Sequence, residues 1–161
     1  AGVVMSGLKL PGFPSNKGTL VIKLTDAPVE LKHLNVTITE VEVHKAEDGG
    51  WILLSFVPPG RTSFYVDILS LQNISRDLSV TEIDPGNYTK LRMKISTANA
   101  TYSDGFIVDP LIVPPDKIDV IVHFEIEAGY TTEILLDFTA HISQTDRLAP
   151  VLNATVTTAP P

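Results

Sequence analysis

Between Lys117 and Ile126 the apolar residues Ile118, Val120, Val122, Phe124 and Ile126 fall on every second position, with Asp119, His123 and Glu125 between them. A period of two puts all five on one face of an extended chain, whereas a helix would scatter them around its axis. The same alternation recurs at Leu91, Met93 and Ile95 against Lys90, Arg92 and Lys94. A chain patterned in this way folds as half-buried strands, each hiding one face against a partner layer. The side chains agree with the pattern. The sequence holds 16 Val, 14 Ile and 16 Thr in 161 residues, and branching at Cβ suits a pleated surface better than a helix.

Turn residues divide the pattern into segments. A strand over 18–25 places Leu20, Ile22 and Leu24 on one face and ends at Asp26-Ala27-Pro28. A longer one over 33–45 starts with Leu34, Val36 and Ile38 inward and then changes phase to Val41 and Val43. A one-residue change of phase within a strand is the mark of a β-bulge. Asp48-Gly49-Gly50 turns the chain into a strand over 51–56, and Pro58-Pro59-Gly60 precedes another over 63–69. The stretch 70–83 lacks alternation and reads as irregular, with a short helical turn. Further strands follow at 106–108, 118–126, 134–142 (Ile134, Leu136, Phe138, Ala140, Ile142) and 151–156. The expectation is an all-β, Ig-like or Greek-key sandwich of about eight to nine strands. It forms one domain over 18–161, preceded by an extended tail over 1–17.

Charge and composition exclude several function classes. The net charge is −7 with 12 scattered basic residues, so nucleic acid and anionic membrane surfaces are poor partners. No apolar run reaches the length needed to span a bilayer, and no membrane insertion is expected. Cysteine is absent, which removes disulfides, thiolate metal sites and cysteine nucleophiles. Two Gln, two Met and 12 Pro lean towards a heat-adapted protein. The opening Ala1-Gly2-Val3 is what a secretory signal peptide leaves when cut at a small-residue site. The protein is therefore expected outside the cell.

The asparagines carry the sharpest signal. Of six Asn, five begin an Asn-x-Ser/Thr sequon: Asn35, Asn73, Asn87, Asn99 and Asn153. With 26 Ser and Thr in the chain, chance would produce about one, and five by accident has a probability on the order of one in a thousand. The five are expected to carry covalent N-linked glycans, which need solvent around them. Alternation puts Asn35 and Asn153 on outward strand faces, while Asn73 and Asn87 fall near turns and Asn99 near a strand end.

Catalytic chemistry is not visible. His33, His44, His123 and His141 show no metal-ligand spacing. His123 and His141 would face each other only if their strands were neighbours. Acid pairs such as Glu40 and Glu42 or Glu125 and Glu127 are explained by solvated strand faces, and none is singled out as a glycosidase pair. Turn acids Asp26, Asp48, Asp104 and Asp116 lack calcium-loop spacing. The expectation is no enzyme activity and no cofactor.

The segments Gly18-Thr-Leu-Val-Ile-Lys-Leu-Thr-Asp-Ala-Pro28, Val36 to His44, Gly50-Trp-Ile-Leu53, Asp67-Ile-Leu-Ser-Leu71, Pro85 to Arg92, Leu135-Leu-Asp-Phe138 and Ala149-Pro-Val-Leu152 occur in this order. Together they resemble a family of secreted archaeal and bacterial β-sandwich domains of unknown function. That resemblance implies export and a sandwich, with no catalytic residues to carry over. The tail, with Val3, Val4, Met5, Leu8 and Leu10, looks like the donor strand of archaeal thread-like or bundling pili. Gly7, Lys9 and Pro11 would interrupt the long helix of a type IV pilin. The analogy implies a glycosylated subunit of an extracellular, cell-surface filament, assembled from copies of itself by donor-strand complementation. The alternative is a monomeric adhesion or carbohydrate-binding module, which would need an aromatic platform built from Trp51, Tyr65, Tyr102 and Tyr130.

Overall fold

A computed structural model of the chain describes residues 16–26, 31–46, 49–113 and 117–161. They form ten strands and one short 3₁₀ turn: β1 (Gly18–Asp26), β2 (Leu31–Lys45), β3 (Trp51–Leu53), β4 (Phe64–Asp67), the turn (Ile68–Leu71), β5 (Ser75–Ile83), β6 (Gly86–Tyr102), β7 (Ile107–Val108), β8 (Lys117–Ile126), β9 (Thr131–Thr139) and β10 (Val151–Ala159). No α-helix occurs among the described residues.

Two sheets share these strands. The first has the order β10-β9-β1-β5, with β1 and β9 parallel and the other pairs antiparallel. The second is built on the two longest strands, β2 and β6, paired along nearly their whole length. The other edge of β2 holds β3 and β4, and the other edge of β6 holds β7 and β8. Residues of alternating phase meet between the layers. Leu20, Ile22 and Leu24 of β1, with Ile134, Leu136 and Phe138 of β9, oppose Val36, Ile38, Val41, Val43, Leu91, Met93 and Ile95 of the second sheet. Each is fully excluded from solvent, and burying a side chain of this size contributes about 1.5–3 kcal/mol.

The all-β sandwich is the expected one, with two corrections. There are ten strands rather than eight or nine, because 75–83 is a strand. Its Leu78 and Ser79 are both buried, opposite a register shift between Ile22 and Lys23 of β1, and two consecutive buried residues break the alternation. The expected strand over 51–56 ends at Leu53, and Phe56 instead bridges to Ser79 of the first sheet. The predicted change of phase in β2 is present as register shifts against β6 around Thr37, Ile38 and Glu40.

Candidate subunit interface and glycosylation surface

Along one side of the sandwich the two sheets end in long strands, β8 on the second sheet and β10 on the first. Each is paired on one edge only among the described residues, β8 with β6 and β10 with β9. The two approach each other across the seam. The core is incompletely covered here. Val120, Val122 and Phe124 of β8 keep 9%, 7% and 6% of their surface exposed, Leu152 of β10 keeps 7%, and Val156 keeps 37%. Ala154 between them is only partly buried. Apolar side chains between two strand edges that are unpaired among the described residues offer a place for another extended chain. The segment proposed from sequence to supply it, with Val3, Val4, Met5, Leu8 and Leu10, lies outside the described residues. Lys17 marks where it joins the sandwich, its carbonyl accepting from Gly129 N–H at 3.1 Å beside the β8–β9 turn.

The sequon asparagines divide into two groups. Asn73, Asn87 and Asn153 are exposed. Asn73 takes a left-handed conformation, with φ of 62°, in the tight turn closed by Ile74 N–H donating to Leu71 C=O at 3.2 Å. Asn87 sits at the start of β6 opposite Glu125, and Asn153 lies on β10 opposite Asp137. Asn35 and Asn99 are only half exposed. They are direct cross-strand partners on β2 and β6, and Asn35 Nδ2 donates to Asn99 Oδ1 at 2.9 Å. No sequence signal foretold this partnership across 64 residues of chain.

The other candidates separate in space. Trp51 and Tyr65 pair with His44 and Thr37 of β2, about 23 Å apart at the usual rise of a strand. Trp51 is also covered: the Arg92 guanidinium lies 4.0 Å over its ring and His44 packs edge-on at 4.7 Å. Tyr102 sits at the end of β6 near Phe106, and Tyr130 lies in the β8–β9 turn, so the four do not form one platform. His123 and His141 do not face each other, because β8 and β9 belong to different sheets and His141 lies beyond β9.

His33, unremarkable in sequence, meets Asp67, Nδ1 to Oδ2 at 2.7 Å. The other Asp67 oxygen accepts from the backbone N–H groups of Leu34 and Leu69 at 3.0 and 3.1 Å. That carboxylate is a structural brace between β2, β4 and the 3₁₀ turn.

Asp26 is the unusual titratable group. It occupies the inward phase of β1 with only 6% of its surface exposed, and neither oxygen makes a well-formed hydrogen bond. Burial pushes its carboxyl up from 3.8 to about 6, the Gln72 side chain pulls it partly back, and the charges of Asp137 and Asp67 push it further up. Among the described residues no three His, Asp or Glu side chains converge to hold a metal ion. Of the other turn acids, Asp104 accepts from Phe106 N–H at 3.0 Å, while Asp48 and Asp116 lie outside the described residues.

Residues 17–150 match a family described as a domain of unknown function, DUF4382. The chain belongs to the DUF4382 family. The match takes in β1 to β9 and leaves the tail and β10 outside it. No curated protein and no solved structure matches this DUF4382 chain. No helix among its described residues is long and apolar enough to cross a membrane.

Proposed function

We propose that this protein is a structural subunit of an extracellular, N-glycosylated filament at the cell surface, each copy lending residues 3–10 as a strand to the next. The observation that carries this reading is the seam between β8 and β10, lined by apolar residues and, among the described residues, unpaired at both outer strand edges. The tail has matching chemistry. Val4, Leu8 and Leu10 share one phase of an extended chain, with the small Ser6 between them. Eight residues in extended form reach about 26 Å, enough to run along about four-fifths of ten-residue β8. The resemblance of the tail to pilus donor strands points the same way.

Donation from one copy to the next is a head-to-tail contact, and such contacts build an open fibre when they do not close into a ring. The surface suits exposure to the medium, with three sequon asparagines exposed and a net charge of −7. The two-sheet sandwich of the described residues supplies the body of each subunit, and no catalytic step is assigned to it.

Negative-stain electron microscopy of the native protein recovered from the cell surface tests the reading. Long thin fibres are expected from the wild type. The double variant Val4→Asp/Leu8→Asp should give folded, dispersed particles with an unchanged β-sheet circular dichroism spectrum. Dispersed particles from the wild type would overturn the filament reading and turn attention to a monomeric surface-binding module.

A further inference from the structure

We infer that Asn35 and Asn99 are one glycan site with two alternative attachment points, and that a folded chain carries a sugar on one of them but never on both. The inference rests on the reading of this protein as a secreted glycoprotein and adds an occupancy rule that the sequence does not contain.

The two residues stand directly opposite each other on the central strands of the second sheet. Directly opposed Cβ atoms in an antiparallel pair are about 4.5–5.5 Å apart. Both side chains lean together, closing the 2.9 Å hydrogen bond from Nδ2 of Asn35 to Oδ1 of Asn99. The row is bounded on the other side of β2 by Asp67, held in place by His33, Leu34 and Leu69. The two asparagines therefore have each other as the adjustable neighbour.

Attachment joins Nδ2 to the anomeric carbon of a lipid-linked glycosyl phosphate. The new N–C bond forms as the C–O bond to phosphate breaks, the phosphate leaves with its electron pair, and Nδ2 gives up one proton. The modified nitrogen keeps one N–H. With a single glycan that N–H can still donate to the opposite amide oxygen, so the pair survives and braces the first sugar. A second glycan would put another pyranose over the same cross-strand gap. The two rings and the amide bond cannot share that space while β2 and β6 remain paired.

Each sequon threonine shares the outward face with its asparagine, Thr37 opposite Thr97 and Thr101 opposite His33. Both sequons are thus locked in paired strands once the sheet forms, and attachment has to precede pairing. A chain modified at both positions then fails to close this row and is lost from the folded population.

Intact mass together with glycopeptide mapping of the folded native protein tests the rule. At most four glycans per chain are expected from the five sequons, with each glycosylated chain occupied at either Asn35 or Asn99 and not at both. Asn35→Gln should raise occupancy at Asn99 towards completion, and Asn99→Gln should do the same for Asn35. Folded chains with five glycans would overturn the inference, and so would an empty pair in chains whose other sequons are occupied. A native protein bearing no glycan at any sequon would remove the glycoprotein reading itself and this rule with it.

Discussion

Gly18 is pressed so closely against Ile126 that a Cβ built on it would stand 2.5 Å from Ile126 Cγ2 and 2.6 Å from the Glu127 carbonyl oxygen. Real atoms do not tolerate such distances, and the carbonyl belongs to the backbone of the β8 end. This contact seats the first residue of β1 on the end of β8, one residue after Lys17 where the tail joins. Gly18→Ala should therefore destabilise the sandwich by about 1–3 kcal/mol, the usual penalty of overpacking. Thermal unfolding of the variant against wild type measures it. An unchanged midpoint would mean that the β8–β9 turn yields easily.

Asp26 should make stability fall as pH rises. The unfolded carboxyl ionises near 3.8 and the folded one only at about 6, so the folded state holds its proton over a range in which the unfolded state has lost it. The proton-linked contribution is complete below the unfolded value and declines as pH rises through the folded value, by up to about 3 kcal/mol. Asp26→Asn removes the buried charge. It should raise stability at neutral pH by about 1–3 kcal/mol, change little at about pH 3, and flatten the profile between. Denaturant unfolding at several pH values separates these outcomes.

Asp119 runs in the opposite direction. It receives a two-pronged contact from Arg92, Nε to Oδ1 at 2.7 Å and Nη2 to Oδ2 at 3.0 Å, and this hydrogen bonding holds its carboxyl below the usual range. Its contribution is present above the ordinary carboxylate value and is lost as pH falls through the lowered folded value. The pair is substantially exposed, so Asp119→Asn should cost only about 0.2–1 kcal/mol, less at high salt. Arg92→Lys should cost as much or more, because lysine replaces neither the fork nor the stacking on Trp51. Urea titrations at low and high salt check both.

The strands most legible in the sequence were those with one wet face. β8 and the stretch 90–95 of β6 alternate cleanly because their inward residues face the core and their outward ones face solvent. β5 was hidden because Ser75, Arg76 and Asp77 are exposed and Leu78 and Ser79 are both buried, so its pattern never repeats. The sequon positions were readable as a motif, yet the Asn35–Asn99 contact was not. It depends on the β2–β6 register, which slips around Thr37 and Ile38, and local spacing does not carry that information. The seam was equally silent. Val122 and Val156 look like ordinary core residues in sequence, and only the order of strands in the two sheets leaves them at a margin.

Tyr88 offers a test of the fold at a sequon that leaves the sequon intact. Its ring is buried and stacks on Phe124 at 5.2 Å, and its hydroxyl donates to the Asp84 carbonyl at 2.7 Å. Tyr88→Phe keeps the stack and the Asn87-x-Thr89 motif but loses that hydrogen bond. The carbonyl then loses this donor at the turn into β6, at a cost of about 1–2 kcal/mol. Chemical denaturation should register that loss with no change in glycan occupancy at Asn87.

Val156 separates assembly from folding more cleanly than any core residue. It lies on the inward phase of β10 with Leu152 and Ala154, yet 37% of its surface meets solvent, so an isolated copy gains little from it. A donated strand in the seam would cover it. Val156→Asp should therefore cost the isolated sandwich less than about 1 kcal/mol, since the carboxylate keeps its water. In an assembled fibre the same carboxylate would be buried without a partner, and assembly should fail. Val122→Asp, buried in β8, is the contrasting variant and should unfold the sandwich itself. Thermal unfolding together with electron microscopy of the two variants distinguishes the cases. Fibres formed normally by Val156→Asp would place the donated strand elsewhere than the β8–β10 seam.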